Sequence, residues 1–359
     1  MTTAPSRLIV SVPYPVRLFG DLQDLLGLPA LVAGLDERTA VACTPREDRL
    51  FALRFHGLQD EVVFDVEEVA PLEEVSPTFG HAFRMLGRRG LLPREGFDLV
   101  VYERQPGQGV RGNHPAAAVA WVLAFLAGSE RLRDLSGEET ADLVLEILGD
   151  LPIAHGAAPE IYACIMGGVL RFDPGSRPKV TPLERSLPGL ILVRCQSRRV
   201  THPRYEGVSA LGAIRRLEQL LEGTSFVMAS FDEVVARLRD LAERDASLAY
   251  AHLVIREHCR AAWEMLAGEL ALDDDRLGEL LDDTDSMLRD YLGFREPGLE
   301  MMMDVAERAG ALGCKVLPGT QMFVVFAPAR EDEVIEAIRK AGGDARRAPV
   351  SDGMRLEIR

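Results

Sequence analysis

Apolar runs separated by charged turns predict that strands dominate the first 66 residues. Two such runs, at 8–12 and 30–35, flank a turn-rich segment, and residues 62–66 form a later strand of the same kind. The turn-rich segment carries Asp21 and Asp24, three residues apart. The pattern therefore predicts two strands joined by a polar turn, where a small polar molecule meets both carboxylates. Aspartate also favours turns in general, so a purely structural role for the pair stays open.

Beyond residue 80, apolar positions recur at helical spacing, with short apolar runs between them. The predicted helices cover residues 81–89, 115–127, 138–148, 159–166, 209–221, 231–244, 247–266, 275–292 and 331–341. The predicted strands cover residues 97–102, 186–194, 313–316, 321–327 and 354–358. The final order of strand, strand, helix and strand predicts an α+β sandwich with an antiparallel sheet, in a unit that opens near residue 186.

Composition limits the classes of protein that the chain can represent. Its 359 residues are enough for two domains, each with its own core. A formal charge of -15 disfavours nucleic acid and anionic membranes as partners, because both need a basic surface. No apolar run reaches the roughly 18 residues that span a bilayer. The five cysteines are scattered, which fits a reducing, cytoplasmic location and disfavours structural zinc, while the oligomeric state stays open.

A glycine-rich loop lies between the predicted strand at 97–102 and the predicted helix at 115–127. Gly107, Gly109 and Gly112 have the G-x-G-x-x-G spacing, which lets main-chain amides point at a phosphate near a helix N-terminus. A dinucleotide-binding domain would continue with a second strand ending in an acidic residue about twenty positions later. A second helix follows instead, so the loop indicates either a phosphate site or a plain tight turn.

Residues 8–36 resemble the first signature of the GHMP small-molecule kinases, and that of the galactokinase-like branch best. The family segment reads roughly Pro-Gly-Arg-Val-Asn-Leu-Ile-Gly-Glu-His-Thr-Asp-Tyr. Asp21 and Asp24 take the places of its sugar-binding Glu and Asp. The catalytic arginine of the family falls at Pro15, and Arg17 lies two positions on, on the same face of the strand. The resemblance therefore implies substrate binding by Asp21 and Asp24 and a catalytic role for Arg17.

Two further stretches are similar to the nucleotide-binding signatures of the same family. Residues 106–115 match Pro-x-Gly-x-Gly-Leu-Ser-Ser-Ser-Ala in their glycines but lack the serine triplet that serves phosphate and Mg²⁺. Residues 310–326 occupy the third signature and keep a single one of its loop glycines. By resemblance, ATP is bound by Gly107, Gly109, Arg111, Gly112, Asn113, His114 and Gly319.

The remaining site residues also follow from the resemblance. Residues 156–168 resemble the family stretch Gly-x-Met-Asp-Gln-Tyr-Ala-Ser-x-x-Gly-Gly, with Glu160 at the catalytic aspartate. Glu160 would then orient or deprotonate the hydroxyl that attacks the γ-phosphate. A glutamate at a helix N-terminus is also favoured by the helix dipole alone. Tyr205 matches a tyrosine that packs on the sugar, and Glu146 is the candidate Mg²⁺ ligand.

Together these resemblances imply an α+β, two-domain fold of the GHMP kinase type. Residues 1–185 would form an N-terminal domain like that of ribosomal protein S5, and residues 186–359 a ferredoxin-like α/β sandwich. The implied activity is ATP- and Mg²⁺-dependent phosphorylation of a monosaccharide or related small polyol. Because each signature has lost chemical residues, the alternative is a pseudokinase that binds sugar or nucleotide without phosphoryl transfer. A third interpretation is a transferase that uses the same cleft for another anionic ligand.

Overall fold

The computed structural model of the protein describes residues 7–103, 114–149, 151, 157–183, 187–195 and 207–359. The chain divides into two compact units. Unit 1 comprises Met1–Val16, Ala33–Gly168 and Ser351–Arg359, and unit 2 comprises Arg17–Val32 and Val169–Val350. The chain passes from unit 1 into the larger part of unit 2 at residues 168/169, and the predicted domain boundary lies at 185/186.

Strands and helices are mixed throughout the described residues, which confirms the predicted α+β class. The strands are β1 (Leu8–Phe19), β2 (Ala30–Pro45), β3 (Phe51–Phe55), β4 (Glu61–Phe64), β5 (Phe97–Tyr102), β6 (Val169–Asp173), β7 (Lys179–Leu183), β8 (Leu190–Arg194), β9 (Gly313–Val316), β10 (Met322–Phe326), β11 (Asp344–Arg347) and β12 (Arg355–Ile358). The α-helices are α1 (Ala70–Val75), α2 (Pro77–Arg88), α3 (Pro115–Gly128), α4 (Gly137–Leu148), α5 (Ala158–Met166), α6 (Gly207–Leu220), α7 (Phe231–Leu238), α8 (Glu243–Leu266), α9 (Asp274–Ser286), α10 (Pro297–Arg308) and α11 (Glu331–Lys340).

Unit 1 is built on a sheet with the strand order β12-β1-β2-β5-β3-β4. β12 pairs antiparallel with β1, with Leu8 opposite Ile358, so the end of the chain returns to its beginning. β3 runs parallel to β5, and β2 runs antiparallel to it. The β1–β2 segment, which the sequence identified as two strands and a turn, is therefore central to this sheet.

The core of unit 1 is apolar and rich in aromatic side chains. Helix α3 is buried along its whole length from Ala116 to Leu126, as expected for a helix that is apolar on every face. Trp121 stacks on Phe79 with 4.4 Å between ring centroids, and its Nε1 donates to the Phe79 carbonyl oxygen at 3.2 Å. Phe83 contacts three further phenylalanine rings at centroid distances of 5.0–5.3 Å. Aromatic packing thus fixes the helices on this sheet.

Unit 2 contains a four-stranded antiparallel sheet with the order β11-β8-β10-β9. Along the chain this is the order of fourth, first, third and second strand, with helices between the first and second and between the third and fourth. That arrangement is the ferredoxin-like β-α-β-β-α-β topology, so the predicted C-terminal sandwich is confirmed. All five residues of β10 are buried, as a central strand covered by helices requires.

One strand of this sandwich was predicted wrongly. Residues 354–358 were expected to complete it, but that strand is β12 and pairs in unit 1. The completing strand is β11, with the sequence Asp-Ala-Arg-Arg, of which only Ala345 is buried. A strand at the edge of a sheet needs few apolar residues, so hydrophobic alternation gave no signal for it.

A second, smaller core in unit 2 joins α6, α7 and α8 to the end of the β1–β2 turn. Leu28 from the turn packs there with apolar side chains that include Leu217, Phe226 and Leu253. Within the described residues, no helix is long and apolar enough to cross a membrane.

Candidate active site

The turn between β1 and β2, residues 20–29, carries both aspartates of the first signature and lies in unit 2. Gly20 has a φ of +79°, and a Cβ built on it would lie 2.6 Å from the carbonyl oxygen of Pro29. A short 3-10 helix, Asp24–Leu26, follows and ends at Gly27, whose N–H donates to the Asp24 carbonyl oxygen at 3.1 Å. The two ends of the turn are therefore in contact, and only glycine fits at position 20.

Asp21 forms a fully buried ion pair with Lys315 of β9. The Lys315 ammonium donates to both carboxylate oxygens of Asp21 at 2.7 Å and to the carbonyl oxygen of Arg17 at 2.9 Å. The side chains of Lys315 and Asp21 are 0% and 2% exposed. Burying two charges costs several kcal/mol per ion, by order of magnitude, unless hydrogen bonds satisfy both groups. Here all three N–H donors of the lysine are used, so Asp21 is locked in place.

Asp24 pairs with Arg17 at the same turn. Arg17 Nη1 donates to Asp24 Oδ1 at 2.5 Å, and the two side chains are only 8% and 7% exposed. The pair places a carboxylate, which accepts hydrogen bonds from hydroxyls, beside a guanidinium, which donates them to oxyanions. The turn therefore carries one group of each kind, in contact with each other.

A buried amide and imidazole tie the middle of the turn to α8. Gln23 Nε2 donates to the His252 carbonyl oxygen at 3.0 Å and lies 3.1 Å from His252 Nδ1. Burial lowers the pKa of His252 to about 4, so the imidazole is neutral near pH 7. If Nδ1 accepts this hydrogen bond, the ring proton is on Nε2. Gln23 is 0% exposed, so the turn is anchored at its centre as well as at Asp21.

The backbone of the turn is strained at Leu22. This residue has a φ of +63°, although it is not glycine, and its side chain packs against the apolar core of unit 2. A left-handed conformation at such a residue costs about 1–2 kcal/mol. Strain of this kind persists where the surrounding contacts determine the conformation, which here are the anchors on either side of Leu22.

Sequence analysis did not assign a role to Lys315. The available signal was a lysine inside the apolar strand Cys314-Lys315-Val316, followed by Leu317. A lysine at a core position needs a buried carboxylate partner, so the strand predicts an unidentified acidic residue nearby. The sequence could not indicate which acidic residue it is, because Asp21 lies 294 positions away.

Two aspartates of α9 hold the edge strand that carries Lys315. Asp282 Oδ1 accepts from the Cys314 N–H at 2.6 Å, and Asp285 Oδ1 accepts from the Val316 N–H at 2.9 Å. β9 is the last strand of its sheet, and these contacts bind main-chain donors that the edge would leave unpaired. The aspartates thus fix the position of Lys315 and, through it, of Asp21.

The same region gathers three groups that are able to ligate metals, but two of them lose their protons less readily than usual. Ligand atoms of Asp282, Glu307 and Cys314 lie within 4.8 Å of one another. Burial, with nearby carboxylates, raises the pKa of Asp282 to about 7 and raises that of the Cys314 thiol well above its usual value. A metal ligand must be deprotonated, so this cluster is a poor cation site near neutral pH.

Glu160 lies in the first turn of α5, in unit 1. The helix begins with Pro159 at its second position, and Glu160 is half-buried. Two residues on, the Tyr162 hydroxyl donates to Asp142 Oδ1 and holds α5 on α4. The carboxylate is therefore carried by a fixed helix end, as the predicted base would need to be, and its role stays a prediction.

Among the nucleotide-binding residues, His114 is the one that begins α3. Its Nδ1 accepts from the Ala116 N–H at 3.2 Å, and its ring stacks on Tyr14 with 4.4 Å between centroids. Pro115 has no N–H, and Ala116 donates to His114. Two of the donors that a helix N-terminus can offer to a phosphate are therefore not available here.

Gly319 and Glu146 occupy exposed positions in different units. Gly319 has a φ of +78° in the turn between β9 and β10, where a Cβ would meet no atom within 4 Å. The glycine is therefore needed for backbone conformation and not for space.

Glu146 on α4 lies 2.7 Å from Arg89 Nη1, and its side chain is 62% exposed. Its metal-binding role stays a prediction.

Six predicted site residues lie outside the described residues. They are Gly107, Gly109, Arg111, Gly112, Asn113 and Tyr205.

Comparison with known proteins finds that nearly the whole chain is similar to small-molecule kinases. No protein-family model matches it. The mevalonate kinase of Thermococcus onnurineus is 25% identical over 376 residues, and that of Thermococcus sibiricus is 26% identical over 385 residues. Each alignment covers 98% of this chain and 98% of the relative. The similarity is thus continuous from end to end.

Solved structures of kinases share the fold. The galactokinase of Lactococcus lactis in complex with galactose has a TM-score of 0.77 at 17% identity, covering 97% of this chain and 95% of that one. The mevalonate kinase of Methanococcus jannaschii has a TM-score of 0.67 at 13% identity, covering 96% and 98%. A D-glycero-D-manno-heptose 1-phosphate kinase has a TM-score of 0.63 at 15% identity, covering 98% of each chain. At such identities the likeness concerns the fold alone.

Proposed function

Because the chain belongs to the GHMP kinase superfamily, we propose that it transfers the γ-phosphoryl group of ATP to a small-molecule hydroxyl. The proposed acceptor is a monosaccharide or a related small polyol. Relatives and structural neighbours that act on mevalonate, galactose and a heptose phosphate support a hydroxyl acceptor of this size, and they do not select one of them.

The observation that carries this proposal is the anchored turn in unit 2. Asp24 and Arg17 form a close ion pair there, next to the locked pair of Asp21 and Lys315. In the proposed enzyme, Asp24 accepts a hydrogen bond from a substrate hydroxyl and Arg17 donates to the transferred phosphoryl group. Asp21, which is 2% exposed and accepts a hydrogen bond from Lys315 on each carboxylate oxygen, acts as a positioning residue for the turn. Tyr205 would pack on the substrate.

Glu160 is the proposed base in unit 1. It would accept the proton of the attacking hydroxyl or hold that hydroxyl in line, a contribution of roughly 10²–10⁴ in rate for a positioned general base. ATP supplies the phosphoryl group, and Mg²⁺, when bound, neutralises its charge. Glu146 can serve such an ion by giving up Arg89, since an exposed ion pair is worth only about 0–1 kcal/mol.

A binding protein without phosphoryl transfer is the second candidate. The geometry at α3 favours the binding protein. His114 Nδ1 already accepts a hydrogen bond from the Ala116 N–H of the helix, and Pro115 has no N–H to donate to a phosphate. The position of the family arginine is also occupied by proline, at Pro15. Such a protein would bind sugar or nucleotide and consume no ATP.

A ligand panel followed by a transfer assay separates the two candidates. The full chain would be tested for thermal stabilisation by galactose, other monosaccharides and mevalonate, with and without Mg-ATP. Any ligand that stabilises would then be assayed for phosphorylated product. A stabilising ligand that is phosphorylated supports the kinase, whereas stabilisation at background ATP consumption supports the binding protein.

Glu160→Gln tests the assignment of the base. We expect kcat to fall by about 10²-fold or more while the melting temperature stays within the experimental error, because the amide keeps the shape and loses the basicity. Glu333→Gln, at an exposed carboxylate in the first turn of α11, is the matched control and should leave kcat unchanged. Equal kcat values for Glu160→Gln and Glu333→Gln would show that Glu160 only stabilises the N-terminus of α5.

A further inference from the structure

Unit 2 contains a cavity whose described lining includes none of the residues assigned to the proposed reaction. Its volume is about 580 Å³, within the range of roughly 300–1,000 Å³ typical of small-molecule sites. It lies between the end of the β1–β2 turn, the loop before α7, and α8. With Arg171 of β6, the described residues that line it come from four separate parts of the chain.

Most of the surface that lines this cavity is apolar. Leu28 and Leu31 form one wall and are 1% and 0% exposed, and Trp263 lies on α8 opposite the loop that carries Val227. Phe231, at the start of α7, is 40% exposed although it is a large aromatic residue. Val227 is 43% exposed. Apolar side chains that line a cavity and also face solvent lose unfavourable hydration when a ligand covers them.

The three arginines that line this cavity, Arg171, Arg256 and Arg260, each have a carboxylate partner. Arg171 is held by both carboxylate oxygens of Asp173, and its guanidinium stacks over the Trp263 ring at 4.8 Å. Arg256 and Arg260 both bind the carboxylate of Glu257 at 2.7–2.8 Å. Each guanidinium therefore has a carboxylate partner already. An anion that bound one of these guanidiniums would have to displace its carboxylate, and the carboxylates of Glu257 and Asp232 in the lining would repel it, whereas an uncharged ligand meets neither cost.

The cavity also touches the turn that carries the proposed substrate groups. Leu28 and Pro29 line it, and the Cys259 thiol donates to the Pro29 carbonyl oxygen at 3.5 Å. The Leu28 N–H donates to the Gln23 carbonyl oxygen at 2.9 Å. A molecule pressed against Leu28 and Pro29 thus contacts the same closed turn that holds Asp21 and Asp24.

We infer that this cavity is a second ligand site, which binds a small, uncharged, mainly apolar molecule and stabilises the β1–β2 turn. The apolar walls provide the binding energy, and the paired charges select against ionic ligands. Occupancy adds contacts to Leu28 and Pro29, so opening of the turn becomes less frequent when the site is filled. This inference does not depend on phosphoryl transfer.

The binding test uses two fluorescent probes of nearly the same shape. N-phenyl-1-naphthylamine is uncharged, and 1-anilinonaphthalene-8-sulfonate adds a sulfonate. With the full chain, we expect saturable binding of the uncharged probe. Fluorescence energy transfer from tryptophan to the bound probe should be reduced in Trp263→Phe, because Trp263 lines the cavity. We expect the sulfonate to bind about tenfold more weakly or worse. Equal or tighter binding of the sulfonate would overturn the assignment of an uncharged ligand.

Val227→Trp and Val235→Trp provide the matched pair of variants. Both valines are exposed, at 43% and 40%, but only Val227 lines the cavity. A tryptophan at 227 should occupy part of the cavity and lower the affinity for the uncharged probe by about tenfold. A tryptophan at 235 should change that affinity by less than about twofold. Equal affinities for the two variants would place the probe elsewhere and overturn the site.

Hydrogen exchange tests the effect on the turn without any assay of activity. On saturation with the uncharged probe, the amides of Gln23, Leu26, Gly27 and Leu28 should exchange more slowly, since each donates a hydrogen bond within the turn. Amides of α11 serve as the reference. Binding with no change in exchange at residues 23–28 would overturn the coupling. A catalytically inactive protein would give the same expected result.

Discussion

The apolar core of unit 1 and the turn of unit 2 are both buried, but they are held by different kinds of interaction. Around Trp121, stacked and edge-to-face aromatic rings fill the space. At the turn, Lys315 and Asp21 are buried as ions and Gln23 is bound to His252. Aromatic contacts are many and individually small, whereas each contact at the turn is strong and specific.

This difference teaches which region tolerates change. A core held by many dispersion contacts accepts another apolar side chain of similar volume at modest cost. A buried ion pair loses stability when either partner is removed, because the other charge is then buried without compensation. The turn therefore has little freedom to vary, while the core that supports the fold has more.

The largest effect is expected at the buried pair of the turn. Lys315→Met should lower the free energy of unfolding of unit 2 by about 3–5 kcal/mol, since Asp21 would stay buried without the lysine that binds both of its carboxylate oxygens. The measurement is urea denaturation in a Trp121→Phe background, where Trp263 alone reports on unit 2.

A double variant shows whether the charges themselves are responsible. Asp21→Asn combined with Lys315→Met should cost less than the sum of the two single variants by about 2 kcal/mol, because no unpaired charge remains. Additive costs would mean that the two side chains act independently, and the contrast with unit 1 would then fail.

A smaller effect is expected in the aromatic core. Phe83→Leu should lower the free energy of unfolding of unit 1 by about 1.5 kcal/mol, through loss of ring contacts with Phe51, Phe64 and Phe125. Urea denaturation in a Trp263→Phe background follows Trp121 in unit 1. A loss equal to that of Lys315→Met would show that the aromatic core is as intolerant as the turn.

The sequence predicted most of this fold because the fold depends on local patterns. Helix α3 is a continuous apolar run, and α4, which a capping box at Ser136 begins, starts within one residue of the helix predicted at 138–148. Strand β11 escaped prediction because an edge strand of Asp-Ala-Arg-Arg has no apolar alternation. The predicted helix at 231–244 ends early, at Leu238, since α7 and α8 are separate helices.

The candidate site was predictable only in part, because its geometry depends on partners far apart in sequence. The resemblance to kinase signatures identified Asp21, Asp24 and Arg17 from one short segment. Neither spacing nor composition indicates that Lys315 neutralises Asp21, or that Gln23 is bound to His252, 229 positions away. Those contacts follow from the packing of β9 and α8 beside the turn, which is a property of the folded chain.

The smallest effect, and the only gain, is expected at Asp282, a half-buried carboxylate that binds a main-chain N–H and has no cation partner among its described hydrogen bonds. Burial raises its pKa from 3.8 to about 7, so the folded protein binds a proton that the unfolded chain releases between these values. The free energy of unfolding should therefore fall as pH rises from about 4 to 7. Asp282→Asn keeps the acceptor for the Cys314 N–H and removes the charge, so it should flatten this slope and raise the stability at pH above about 7. Urea denaturation at several pH values, with the exposed Asp275→Asn as control, measures both. If Asp282→Asn left the pH dependence of the free energy of unfolding unchanged, burial of the Asp282 carboxylate without a cation would have no cost. Pairing with Lys315 would then not be needed to explain why the Asp21 carboxylate is buried.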